Sequence, residues 1–147
     1  MTGREAKILL VEDDPLIVRL YQTAFSRMGY SVEVAFNGKE GLDHLKKSEP
    51  KPIVVLSDVM MPEMDGLQML EHIKEDPALK TIPVILLTNL VDDQEVARGL
   101  ELGAVTYLVK SEYKPKEIVE KVKEILAGYS HGDNVPEVKT ELHDIQS

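Results

Sequence analysis

Five short apolar runs recur along the chain: Ile8 to Val11, Val32 to Ala35, Ile53 to Leu56, Val84 to Leu87 and Tyr107 to Val109. At least three are continuously apolar, with no alternation, as expected of strands covered on both faces in a parallel sheet. The intervening segments carry helical spacing. Leu16, Leu20 and Ala24 with Ile17, Tyr21 and Phe25 form one stripe, and Ile118, Val122 and Ile125 with Val119 and Leu126 form another. Asn37 followed by Glu40, and Asp92 followed by Glu95, read as capping boxes, while Pro15 and Pro115 suit first helical positions. Strand and helix alternating five times predicts an α/β fold: an open, doubly wound parallel sheet with right-handed crossovers and helices on both faces. The 147 residues suffice for one such domain.

In a sheet of this kind, ligands bind beyond the carboxyl ends of the strands. The residues there are Glu12, Asp13 and Asp14 after the first run, Asp58 after the third, Thr88 at the end of the fourth and Lys110 after the fifth. All four clusters fall on one rim. The second run leads only into Phe36, Asn37 and Gly38, a turn and a helix cap, which suits an edge strand. Carboxylates brought together raise one another's pKa unless a cation intervenes. With no cysteine in the chain and no histidine close by in sequence, hard oxygen ligands for magnesium are the natural reading. Asp14, directly before Pro15, is read as the cap of the first helix, leaving Glu12 and Asp13 as ligands. Asp58 would face the metal and could attack phosphorus to give an aspartyl phosphate. Lys110 offers a second positive charge and the Thr88 hydroxyl a donor to a phosphoryl oxygen.

Composition narrows the partners. A net charge of -9 provides no footprint for a nucleic-acid backbone, so direct nucleic-acid binding is not expected. No apolar run reaches the length of a membrane span, and the first residues lack a secretory signal, so the expected location is cytoplasmic. Neither a dinucleotide fingerprint nor a P-loop follows a strand.

Taken together, Glu12-Asp13 after Ile-Leu-Leu-Val, Asp58 within Asp-Val-Met-Met-Pro-Glu-Met-Asp-Gly, Thr88 after Val-Ile-Leu-Leu, and Lys110 after Gly-Ala-Val-Thr-Tyr-Leu-Val resemble the receiver domains of two-component response regulators. The resemblance implies a flavodoxin-like sheet in the order 2-1-3-4-5 flanked by five helices. It makes Asp58 the phosphoacceptor, with Glu12, Asp13 and the Met60 main-chain carbonyl joining Asp58 around magnesium. Lys110 would hold the phosphoryl oxygens, and Thr88 and Tyr107 would form the switch. An unphosphorylated chain should show Tyr107 half-buried with its hydroxyl in water. Gly66 would close the loop after the acceptor, stiffened by Pro62. In that family the positions of Met60 and Leu90 border the path of the hydrolytic water, and as neither side chain can position a water, the resemblance implies slow self-dephosphorylation. The implied phosphodonor is a histidine kinase or a histidine phosphotransfer protein; His44, His72, His131 and His143 fall on helix surfaces or near the end of the chain, and none reads as a donor.

Two positions depart from the family pattern. Ser111 stands where a proline commonly follows the lysine, and a cis bond there would cost about 2.5 to 4 kcal/mol. Lys114 stands at the cap before Pro115, where its charge opposes the helix dipole. Residues 5–127 are expected to form the receiver and 128–147 a polar tail or linker, with Gly128 ending the last helix and Pro136 to Ile145 either mobile or briefly helical. A stand-alone regulator and a receiver cut from a longer protein both fit this organisation. The downstream target and any homodimer are not legible. Two rivals stand beside the receiver reading: a haloacid-dehalogenase-type phosphatase, whose nucleophile belongs in an Asp-x-Asp pattern after the first strand, and a receiver-shaped interaction module that is never phosphorylated.

Overall fold

A computed structural model describes residues 6–89 and 93–130. Strands β1 (Ala6–Val11), β2 (Tyr30–Ala35), β3 (Val54–Asp58), β4 (Val84–Thr88) and β5 (Thr106–Val109) alternate with helices α1 (Pro15–Arg27), α2 (Gly38–Lys47), α3 (Gly66–Glu75), α4 (Asp93–Glu101) and α5 (Pro115–Ser130). Every strand pairing is parallel and the order is β2-β1-β3-β4-β5, with β2 at an edge as its chemically empty end implied. Ile53 lies outside β3, 40% exposed, and the strand instead runs on to Asp58.

Because side chains alternate across a strand, the apolar runs split into two cores. Ile8, Leu10, Val54, Leu56, Ile85, Leu87 and Leu108 pack against Val18, Tyr21 and Phe25 of α1 and Ile118, Val119, Val122 and Ile125 of α5. Leu9, Val11, Val55, Val84, Leu86, Tyr107 and Val109 pack against α2, α3 and α4 on the other face. A one-residue slip of any central strand would exchange the two sets, so both cores fix the register.

The caps follow the chemistry of their residues. The Asp14 side chain accepts from the Leu16 amide at 2.9 Å, and Asn37 accepts from the Glu40 amide at 2.9 Å. Asp65 and Gln68 form a full capping box on α3, at the spacing such a box requires in sequence. Asp92, Leu90 and all residues from 131 on, including His131, His143 and the Pro136 to Ile145 segment, lie outside the described residues. Gly128 does not end the last helix: α5 continues through it to Ser130. Glycine stops a helix by adopting a left-handed conformation, and among the described glycines only Gly29 and Gly103 do so.

At the start of α5 the Lys114 amide donates to Glu117 Oε1 at 2.7 Å, while the Lys114 carbonyl accepts the Glu117 and Ile118 amides. Half of a capping box is therefore present, and the missing half is a side-chain acceptor at position 114. Lys114→Ser should supply it and raise stability by about 1 kcal/mol, read as a higher denaturation midpoint; an unchanged or lower midpoint would show that a hydroxyl at position 114 does not complete the cap.

Candidate functional site

The carboxyl ends of β1, β3 and β5 meet at one rim. Glu12 extends the β1 ladder, its amide donating to the Ala35 carbonyl at 3.0 Å, so its side chain follows Ile8 and Leu10 onto the α1/α5 face. Asp58 follows Val54 and Leu56 onto that face, and Lys110 follows Leu108. The three converge. Lys110 Nζ donates to Glu12 Oε1 at 2.7 Å and to Asp58 Oδ2 at 3.2 Å, all three groups being nearly enclosed by protein. The other oxygen of Glu12 accepts from the Asp14 amide at 3.1 Å. Asp13 stands beside them on the solvent side, and one carboxylate oxygen from each of Glu12, Asp13 and Asp58 lies within 4.8 Å of the others.

Burial governs the protonation of this group. It pushes the Glu12 carboxyl up despite the bond from Lys110, and it pushes Asp58 up despite the charge of Lys110 and the amides of Val59 and Met60. Burial alone would lower the Lys110 pKa, but the bond to Glu12 and the charge of Asp58 outweigh it and raise the ammonium above its ordinary range. Two enclosed carboxylates thus share one ammonium, with the exposed carboxylate of Asp13 alongside. A compact divalent cation with oxygen ligands fits this donor set, since it would supply the charge the carboxylates lack.

The acceptor's own loop is tightly held. The Val59 amide donates to Asp58 Oδ1 at 2.8 Å, the Ser57 hydroxyl to the Asp58 carbonyl at 2.8 Å, and the Gly66 amide to the Val59 carbonyl at 2.9 Å. A Cβ on Gly66 would overlap the Asp58 carbonyl oxygen, which accounts for a glycine at the loop's end. Met60 carries an exposed side chain on this loop while its amide points to the Asp58 carboxylate.

Thr88 and Tyr107 lie across the sheet from these charges. Thr88 shares the pleat of Val84 and Leu86, and Tyr107 belongs to the core formed with α3 and α4. Tyr107 is 6% exposed, which corrects the expectation of a half-buried ring with its hydroxyl in water: it belongs to the buried core that includes Leu86, Val96 and Ala104. Lys110 enters a short 3-10 turn through Glu112, and among the described residues the cis peptide is Glu49-Pro50, so Ser111 follows a trans bond. His44 and His72 sit on α2 and α3 without a place at the rim. Tyr21, which reads in the sequence only as core, also belongs to the surroundings of the site. Its ring is buried on the α1/α5 face, and its phenol, pushed up mainly by burial, also feels Lys110, Glu12 and Asp58.

A doubly wound parallel sheet with an acidic rim completed by one lysine places the chain among α/β domains whose ligand site lies beyond the carboxyl ends of the strands. Within that class, residues 8–123 match the response regulator receiver domain, and the chain belongs to that family, whose members are phosphorylation-dependent signalling switches. It is 35% identical over 123 residues to "Probable transcriptional regulator ycf27" of Porphyridium aerugineum, covering 84% of this chain and 49% of that one. It is 37% identical over 121 residues to the alkaline phosphatase synthesis transcriptional regulatory protein PhoP of Bacillus subtilis (strain 168), covering 82% and 48%. The chain thus spans about half the length of these curated relatives. Among solved structures it superposes on the chemotaxis response regulator CheY4 of Vibrio cholerae with a TM-score of 0.75 at 28% identity, covering 83% of this chain and 99% of that one. The phosphorylated cyanobacterial phytochrome response regulator RcpA gives 0.77 at 28% identity, covering 86% and 96%. Among the described residues, no helix is long and apolar enough to cross a membrane.

Proposed function

We propose that this chain is the phosphoryl-accepting switch of a two-component pathway, in which Asp58 takes a phosphoryl group from the phosphohistidine of a histidine kinase or histidine phosphotransfer protein in the cytoplasm. The observation that carries this reading is Lys110 Nζ set between Glu12 and Asp58 with Asp13 alongside. Magnesium, held by Glu12, Asp13, Asp58 and the Met60 main-chain carbonyl, would neutralise charge on the incoming phosphoryl group. Asp58 supplies the nucleophilic oxygen, and the bond from phosphorus to the donor's ring nitrogen breaks as the new P–O bond forms. The Val59 and Met60 amides keep the carboxylate facing the rim. Lys110 follows the charge from the carboxylate to the phosphoryl oxygens. Thr88 then donates its hydroxyl to one of those oxygens, and the loss of its earlier position is felt by the α3/α4 core where Tyr107 already packs.

The acceptor at the end of β3, with Glu12-Asp13-Asp14 after β1, favours this switch over a phosphatase of the haloacid dehalogenase type, which would carry its nucleophile after the first strand. The chain's net charge of -9 disfavours contact with a nucleic-acid backbone, so any transcriptional output would reside in a partner or another domain. Incubation with acetyl phosphate and magnesium tests the reading: intact mass should rise by one phosphoryl group, lost in hydroxylamine. No gain with either donor or kinase would sink it.

The metal has its own test. A ligand selective for the native state stabilises it, so magnesium should raise the melting temperature. Asp13 is exposed, so Asp13→Asn should fold as the parent does yet lose most of that shift. A full shift in Asp13→Asn would remove Asp13 from the ligand set.

A further inference from the structure

The loop that follows Asp58 is grasped from the side by the start of α2, a contact the phosphoryl chemistry above does not use. The Asn37 Nδ2 group donates to Glu63 Oε2 at 3.2 Å, and the Gly38 amide donates to the Met64 carbonyl at 2.8 Å. The approach is close: a Cβ on Gly38 would stand 2.7 Å from the Met64 carbonyl oxygen and 2.9 Å from its Cγ. Glu63 itself adopts a left-handed conformation, φ 64°, which a glutamate does not favour and which its surroundings must sustain. Asn37 is 7% exposed, and a buried side-chain amide needs partners at both ends. Its oxygen already caps α2 at the Glu40 amide, which fixes the amide's orientation and commits its nitrogen to Glu63.

We infer that Asn37 and Gly38 are positioning residues for the phosphoacceptor. They hold Glu63 and Met64, and through the Gly66 to Val59 bond they keep the Val59 and Met60 amides on the Asp58 carboxylate. One side-chain amide therefore does two jobs that can be separated. Asp caps a helix as well as Asn, so Asn37→Asp retains the cap on α2 while replacing the donor to Glu63 by a second carboxylate. Glu63→Gln in the Asn37→Asp background returns a hydrogen bond with donor and acceptor exchanged.

This inference rests on Asp58 being the acceptor, and its test distinguishes the two. In acetyl phosphate and magnesium, Asn37→Asp should gain the phosphoryl group about fivefold more slowly than the parent, the factor for the net worth of one ordinary hydrogen bond, with the cap on α2 retained. In the metal-free protein the amide protons of Met60 and Gly66 should exchange with solvent about fivefold faster in Asn37→Asp. The double variant Asn37→Asp, Glu63→Gln should recover both rates. Parental rates in Asn37→Asp, or slowing that the double variant does not relieve, would overturn the inference. An unmodified parent would instead overturn the assignment of Asp58, leaving the metal-free exchange rates to judge the clasp.

Discussion

Asp58→Asn should remain at its unmodified mass in acetyl phosphate and magnesium under conditions that modify the parent stoichiometrically. The substitution keeps the shape of the side chain and its acceptor for the Val59 amide, and removes only the nucleophilic carboxylate. Loss should be complete, since no other carboxylate in the group is so placed: both Glu12 oxygens are engaged, by Lys110 and by the Asp14 amide, and Asp13 is exposed to water. Folding should survive, because the new side-chain amide removes one negative charge from a crowd of buried carboxylates and leaves Lys110 its bond to Glu12. The parent's modification should be released by neutral hydroxylamine, which separates an acyl phosphate on Asp58 from a phosphoserine on its buried neighbour Ser57. Stoichiometric, hydroxylamine-sensitive mass gain in Asp58→Asn would transfer the acceptor role elsewhere. Lys110→Ala offers a graded comparison: it leaves the nucleophile but strips the ammonium from two buried carboxylates, so uptake should fall and depend more steeply on magnesium.

Gly66→Ala should cost about 3 kcal/mol, near the upper end for forcing a methyl group into a packed site. The methyl would meet backbone instead of a flexible side chain. Its wall is the carbonyl of Asp58, already bonded to the Ser57 hydroxyl, with Ser57 Oγ 3.1 Å away. Relief therefore requires the acceptor residue itself to shift, and phosphoryl uptake should fall together with the urea midpoint. A midpoint shift worth less than about 0.5 kcal/mol, the ordinary scatter of surface substitutions, would show that the loop yields more easily than its hydrogen bonds imply.

The rim was legible in the sequence because its residues stand where apolar runs end. Glu12, Asp58, Thr88 and Lys110 each stand at or just past the end of a strand whose length and character are set by burial on both faces, and a parallel sheet brings such ends together whatever their separation in sequence. The strand order was another matter. Nothing in the runs themselves distinguishes 2-1-3-4-5 from other doubly wound orders, and it entered through family resemblance. Contacts that depend on loop conformation were opaque for a plainer reason. Asn37 and Glu63 are 26 residues apart, and neither belongs to an apolar period. Tyr21 was hidden by the opposite effect, since a tyrosine on a helical stripe reads as core even when its hydroxyl end reaches towards charge. The helix running through Gly128 shows that glycine marks a stop only where the backbone turns, which composition does not reveal.

The division of the sheet into two pleated sides has a consequence for how such a domain can diversify. Glu12, Asp58 and Lys110 hang from one side and Thr88 and Tyr107 from the other, with the backbone of the strands between them. Gly66 at the start of α3 and the Asn37–Gly38 clasp at the start of α2 nevertheless reach the acceptor loop from that second side, so changes there share a partner with Asp58 and should not combine additively with changes to it. Only side chains on that second side that touch neither the acceptor loop nor Thr88 can change without altering the reactivity of Asp58.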